Sequence, residues 1–368
     1  MDDVRAWRAP GRVNLIGEHL DYNGGPSVPF AVDRGIALRV RRRDDQVVNV
    51  WSTLPDGSRE RATFEVTTTP GDVDGWAGYV AGAVWAWREG RGEAGGGVDL
   101  VLESDLPTGA GLSSSAALTV GVVAALDELA DGGLGPADVA RTAQRAENDY
   151  VGAPTGLMDQ LAVTFGREGE VLVTEPFADD PVTRRAPFDP TSAGLSLLVL
   201  GTGVGHEHAT GGYARRREEC AEAARLLDVE HLAAVGLDGL VRLEDPVLRR
   251  RVQHVLTETA RVKAALRALG EADWSQLGTV LTASHVSLRD DFEVSCAELD
   301  VAVEAALEAG ALGARMTGGG FGGSAIALVP QPKAGPVREL VEQRFDALGW
   351  ARPDVFAVRP AQGVHRTA

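Results

Sequence analysis

Short runs in which apolar and polar positions alternate fill the early part of the chain and suit strands. Ile36 to Arg42, Val47 to Trp51 and Ala62 to Val66 are rich in β-formers and are separated by polar turns such as Leu54-Pro55-Asp56-Gly57. The pattern then changes period. Residues 76–88, WAGYVAGAVWAWR, predict a helix with an aromatic face, and Val98 to Glu103 a short strand. A run from Ala116 to Leu126 (Ala117, Leu118, Val120, Val122, Val123, Ala124 and Ala125 among it) reads as a buried helix that ends near Asp131-Gly132-Gly133. A further helix is expected from Pro136 to about Tyr150. Between Phe177 and Gly194 the chain reads as loop, with Pro181, Pro187 and Pro190, and the apolar strand LSLLVL starts at Leu195. The expected domain boundary therefore lies near residue 192, giving units 1–192 and 193–368. The second unit alternates strands (195–200, 324–329, 354–359) with helices (213–227, 246–270, 274–286, 296–309, 334–348), an α+β pattern. No internal repeat is visible, and Gly92 to Gly97 reads as a surface loop.

Composition narrows the class. A chain of 368 residues favours two domains over one core. Hydrophobic residues at 44% and charged residues at 24% suit a soluble globular protein. A net charge of −17 argues against a nucleic-acid backbone as partner, while a small anion senses only its own pocket. Two cysteines, Cys220 and Cys296, cannot build a disulfide framework, which fits a reducing cytosol. The opening MDDVRAWRAPGR has no apolar signal core, and no apolar run reaches the ~18 residues of a membrane span. A cytoplasmic protein that binds no membrane is the expectation.

Four stretches carry candidate chemistry. LPTGAGLSSSAAL, residues 106–118, places Gly109 and Gly111 before a serine-capped helix. Glycine turns let N–H groups converge, and a helix N-terminus adds partial positive charge, so the parts can cradle an anion. A merely capped helix after a glycine turn is the plain alternative. In TGGGFGG, Gly318, Gly320 and Gly323 satisfy the dinucleotide fingerprint. That fingerprint needs a strand before it and a helix after it. Here a helix precedes and the strand pattern SAIALV follows, so a close backbone approach is the better reading. No G-x-x-x-x-G-K-[ST] is present, which excludes a P-loop kinase. APGRVNLIGEHLDYNGG, residues 9–25, sets Glu18, His19 and Asp21 beside glycines, acceptors dense enough for a polyol. A metal is the rival there, but no second histidine stands at ligand spacing; a solvated turn is the plain reading. Finally Asp159, in GAPTGLMDQ with Glu147 upstream, is a carboxylate among apolar neighbours, either a buried cap or a functional group.

In this order and at these separations, the glycine-bearing motifs resemble the galactokinase branch of the galactose, homoserine, mevalonate and phosphomevalonate kinase superfamily. GRVNLIGEHLDYNGG is similar to the galactokinase signature, GAGLSSSAAL to the superfamily's phosphate loop, and MTGGGFGG to its third motif. The resemblance spans nearly the whole chain. It implies an α+β fold of two domains with the active site in the cleft between them. The implied activity is ATP-dependent phosphorylation of the anomeric hydroxyl of D-galactose to galactose 1-phosphate, the first committed step of galactose catabolism. Gly109, Ala110, Gly111, Leu112, Ser113, Ser114 and Ser115 would wrap the ATP phosphates, and Ser115 with Glu147 would hold Mg²⁺. Glu18, His19, Asp21, Gly156, Asp159 and Tyr213 would line the sugar pocket. Asp159 would face the reacting hydroxyl, with Arg12 between it and the transferred phosphate. The partners implied are a sugar and ATP, with no nucleic acid and no membrane, and a monomer is expected.

Phosphoryl transfer asks mainly for positioning and for neutralised charge on the γ-phosphate oxygens. An aspartate is a weak base for a sugar hydroxyl, so proton transfer is expected late, with Asp159 partly an orienting acceptor. Two departures stand out. Leu20 replaces the threonine usual within E-H-T-D, and Gly201 in VLGTGVGH replaces an acidic or amide residue. Either could retune the pocket toward another aldose, such as N-acetylgalactosamine or arabinose. A sugar-sensing relative without turnover would lose residues of the serine loop, and Ser113-Ser114-Ser115-Ala116-Ala117 is complete.

Overall fold

The computed structural model describes residues 4–90, 96–107, 109–175, 177–178, 180–204 and 209–367. Most of the Gly92–Gly97 loop and part of VLGTGVGH lie outside the described residues.

The N-terminal half opens with strand β1 (Arg5–Asn14), then β2 (Pro29–Arg42), β3 (Val47–Thr53) and β4 (Arg59–Glu65). Helix α1 (Gly75–Glu89) and strand β5 (Val98–Ser104) lead to the serine loop. Helices α2 (Ser114–Leu129) and α3 (Pro136–Arg145) follow, and α3 runs into a π-helical turn, Ala146–Val151. Helix α4 (Met158–Phe165) precedes a hairpin of β6 (Glu170–Thr174) and β7 (Val182–Pro187). β7 is a strand where proline content predicts loop. Its prolines flank or end it, so the pairing with β6 loses few ladder donors.

β1 is absent from the sequence reading because Pro10-Gly11 carries turn chemistry. The strand tolerates it through a shift of register against β2 between Pro10 and Arg12. In the six-stranded sheet, which β12 (His365–Arg366) joins at one edge in the order β12-β1-β2-β5-β3-β4, only β3 and β5 pair in parallel. β12 pairs with β1, so the segment after β11 (Asp354–Val358) returns to the N-terminal sheet. α2 lies over this sheet and is buried almost throughout, because Val120, Val122, Val123 and Ala125 leave no polar face.

The C-terminal half begins with β8 (Leu195–Gly201) and continues through α5 (Ala209–Leu227), the short α6 (Gly239–Arg242), α7 (Pro246–Glu271), α8 (Trp274–Asp290) and α9 (Ala297–Glu308). β9 (Gly313–Thr317), β10 (Ser324–Pro330), α10 (Ala334–Ala347) and β11 (Asp354–Val358) complete it. Its antiparallel sheet runs β11-β8-β10-β9. The element directly before the third glycine motif is thus a strand, β9, not the helix expected. The sequence hides it because Arg315 stands at its centre, fully buried. The glycine loop joins two antiparallel strands, so no helix N-terminus follows it to receive a pyrophosphate.

Candidate active site

Arg12 resumes the pairing of β1 with β2 after the register shift. Its guanidinium grips Asp159, at the first turn of α4, with Nε donating to Oδ1 and Nη2 to Oδ2, both at 2.7 Å. Nη1 donates to the Gly111 carbonyl at 2.6 Å, and the Arg12 N–H to the Leu112 carbonyl at 3.0 Å. Ser324, at the start of β10, donates to the Ala110 carbonyl at 2.6 Å. Three successive carbonyls of the serine loop are therefore held from behind.

Ser113 does not cap α2. Its backbone is left-handed (φ 55°), outside the extended region a capping residue uses, and its hydroxyl donates to Asp159 Oδ2 instead. Gly109 and Gly111 take the positive φ values, 75° and 67°, that the turn requires.

Two cavities meet here. One, of about 240 Å³, is lined by Arg12, Glu18, His19, Asp21, Gly156, Asp159 and Tyr213 together with the Gly318–Gly320 loop. The other, of about 210 Å³, is lined by Gly109 to Ser115, again with Arg12, Gly318 and Gly319. Arg12 and the third glycine motif are common to both.

Inside the first cavity the carboxylates differ. Both Glu18 oxygens already have protein donors. Asn14 Nδ2 donates to Oε2 at 2.7 Å, and Arg315 Nη2 pairs with the same oxygen at 2.6 Å. Thr317 Oγ1 and the Gly318 N–H donate to Oε1 at 3.2 and 2.9 Å. Burial pushes the Glu18 carboxyl up, against the pull of Arg315 and the Gly318 N–H. Asp21 is raised to about 6, first by burial and then by the charge of Asp159. A Cβ at Gly156 would sit 1.7 Å from Asp21 Oδ2, so only glycine leaves that carboxylate its place. His19, with φ 62°, is held neutral by burial, its pKa lowered to about 3. Its Nδ1 meets Tyr22 Oη at 2.8 Å, and its buried Nε2 has no hydrogen-bond partner among the described residues. Tyr213 stacks near it, ring centroids 5.6 Å apart.

Glu147 lies in the π turn and lines neither cavity. It accepts from Gln160 Nε2 at 2.8 Å and Thr119 Oγ1 at 3.1 Å, and from the Ser115 hydroxyl. Burial raises its pKa to about 7. Among the described residues no group of three His, Cys, Asp or Glu stands together to hold a metal by itself.

The structure thus brings every sequence-predicted sugar and phosphate residue to one of two adjoining cavities. Sequence reading missed the supports: Asn14, Arg315, Thr317, Ser324, and His254 and Glu258 of α7, which hold Glu18 O and the Gly17 N–H. Leu20 lines neither cavity; it is fully buried beside Gly25, so its lack of a hydroxyl takes nothing from the pocket.

Known proteins resemble this chain in sequence and in fold. Family models match residues 2–42 (galactokinase galactose-binding signature), 78–167 (GHMP kinases N terminal domain) and 265–347 (GHMP kinases C terminal). A galactokinase of Streptomyces coelicolor is 45% identical over 98% of this chain and 93% of its own length. One of Mycobacterium tuberculosis is 44% identical over 97% of this chain and 98% of its own. The crystal structure of Lactococcus lactis galactokinase complexed with galactose superposes with a TM-score of 0.90 at 30% identity, covering 99% of this chain and 95% of that one. Methanococcus jannaschii mevalonate kinase shares the fold, with a TM-score of 0.69 at 17% identity, 98% of this chain and 99% of that one being covered.

Proposed function

The chain belongs to the galactokinase family, and from that premise we propose how its site works. The protein is a kinase that phosphorylates galactose with ATP, at the anomeric hydroxyl. The reading of the residues rests above all on Arg12, which is bidentate on Asp159 and lines both cavities. A cation at that wall can orient the acceptor carboxylate and neutralise charge on the phosphoryl group in flight.

Galactose would occupy the larger apolar-walled cavity, with Asp21 and His19 Nε2 meeting its hydroxyls and Tyr213 its face. Glu18, its oxygens engaged, would act through the loop it fixes. ATP would lay its phosphates on the N–H groups of Gly109 to Ser115. The anomeric oxygen attacks the γ-phosphorus, the bond to the β-bridging oxygen breaks, and the hydroxyl proton moves toward Asp159 late in the transfer.

Mg²⁺ fits the donor set. This ion commonly takes one or two carboxylates plus substrate phosphates and water. Glu147 and Ser115, hydrogen-bonded to each other, would hold it, and a cation there would favour the ionised Glu147 that burial disfavours. The ion would screen the charge of the phosphates. The same reading has two domains meeting near residue 192 and a cytoplasmic monomer that binds no nucleic acid or membrane; the −17 charge supports the exclusion of nucleic acid, and two unpaired cysteines suit a reducing compartment.

A coupled ADP-release assay over a panel of aldoses tests the sugar. Galactose and glucose differ in the direction of the 4-hydroxyl, and glucose would leave Asp21 half-paired. Galactose is expected to exceed glucose in kcat/KM by at least roughly a hundredfold, and Asp21→Ala to narrow that gap. Equal use of both sugars would overturn the galactose reading.

A further inference from the structure

Ser113 sits where a helix normally begins with a capping serine, and it does something else. Its backbone lies at φ 55°, ψ 55°, a region that residues with a side chain enter at some strain. No side-chain bond runs from it to the first turn of α2. The hydroxyl donates instead to Asp159 Oδ2, the oxygen that also takes Arg12 Nη2. Ser113 lines the phosphate-loop cavity, whereas Asp159 lines the sugar cavity. One hydroxyl therefore spans the wall between the two half-sites, and it has a single proton to donate.

We propose that Ser113 couples the two substrates, binding nucleotide phosphate with the same hydroxyl that it otherwise gives to Asp159. This rests on the reading above, in which the serine loop faces phosphate and Asp159 faces the sugar. Within the protein, the Asp159 carboxyl is the acceptor that the hydroxyl reaches. With nucleotide bound, phosphate oxygens compete for that proton, and a hydroxyl turns at little cost. Asp159 Oδ2 is then released to accept from the sugar hydroxyl. Arg12 alone keeps the carboxylate in its plane, since two parallel bonds fix its orientation. The left-handed backbone is what keeps the hydroxyl off the helix and in the wall. Coupling of this kind is reciprocal: nucleotide tightens galactose, and galactose tightens nucleotide by the same factor.

Calorimetric titration of galactose, with and without the β,γ-methylene analogue of ATP and Mg²⁺, reads the coupling directly. The variants are Ser113→Ala and Ser113→Gly. Both lose the hydroxyl, but glycine suits the left-handed backbone and alanine does not, so a folding defect would separate them. In the parent, the analogue is expected to lower the galactose Kd by about fivefold or more, the lower end of usual coupling. In both variants that ratio is expected to fall below about twofold. A serine that merely propped Asp159 would change galactose affinity equally with and without nucleotide and leave the ratio intact. A parental ratio in Ser113→Gly, or no coupling in the parent, overturns the proposal while leaving galactose binding and turnover as evidence for the kinase reading. A parent that binds no galactose would remove both.

Discussion

Asp159 receives three donors, two from Arg12 and one from Ser113, and that crowding governs what it can do for a sugar hydroxyl. Those donors fix where its oxygens point. Asp159→Asn would set an amide N–H against a guanidinium N–H and remove the proton's destination. Steady-state kinetics are expected to show most turnover lost, by roughly 10²-fold or more, with kcat falling further than KM rises. A variant within about threefold of the parent would end the acceptor role. Asp21 makes a different prediction, because burial and Asp159 raise its pKa from 3.8 to about 6 in the fold. The folded state then binds the proton more tightly than the unfolded chain, so the contribution of this one group to stability is full below about pH 4 and is lost as pH rises through 6. Asp21→Asn escapes this loss. It should be about 1–3 kcal/mol more stable than the parent at pH 7.5 and nearly equal at pH 4, while binding galactose more weakly. Urea titrations at the two pH values check it, and a gain that persists unchanged at pH 4 would point to something other than the charge. Residues like Asp21, His19 and Asp159 were legible as candidates because polar groups among glycines and apolar neighbours are conspicuous. Their partners were not. The Gly318 N–H reaches Glu18 across 300 positions, and nothing local in either segment announces the pairing.

Elements show the same division between local and distant causes. The helices α7 to α10 and the strands β8 and β10 follow the periodicity of the chain to within a few residues, because each buries a continuous apolar stripe. β1 and β9 do not. In β1 a register shift absorbs Pro10-Gly11, and in β9 the inward Arg315 is paid for by an ion pair contributed from the other half. Both irregular strands feed the site, where local rules give way to function. The π turn after α3 belongs with them. The sequence predicts a regular helix to about Tyr150; the wider turn, Ala146–Val151, carries Glu147 between Thr119 of α2 and Gln160 of α4. Glu147→Gln keeps that packing and removes the charge. The Mg²⁺ concentration for half-maximal rate is expected to rise by roughly fivefold or more, with the unfolding midpoint little changed, since an oxygen ligand of lower charge holds the hard cation less well. An unchanged magnesium titration would leave Glu147 a buried structural carboxyl.

At the scale of the whole molecule, the two halves are joined through the site itself. β9 sends Arg315 into the first motif, where it pairs with Glu18 at 2.6 Å and donates to the Leu15 carbonyl at 2.9 Å. α7 adds His254 on the Glu18 carbonyl at 3.2 Å and Glu258 on the Gly17 N–H at 3.1 Å, and β10 adds Ser324 beneath the serine loop. No periodicity predicts such an arrangement; the cleft followed only from the family resemblance of the three motifs. The Glu18–Arg315 pair, fully buried, lets stability and function be told apart. Glu18→Gln and Arg315→Met each strand one polar partner in the interior, and each is expected to lose about 3–5 kcal/mol. Joining the two changes removes both charges, and the double variant should recover most of that loss, which urea midpoints read as a coupling between the sites. Galactose affinity should not recover with it, because the loop carrying His19 and Asp21 has lost the charge-assisted bond that fixed its angle toward the Gly318–Gly320 loop. Single variants within about 1 kcal/mol of the parent would mean that burial of this pair contributes nothing to holding the halves together. A double variant restored in both stability and galactose affinity would mean that packing alone shapes the sugar loop.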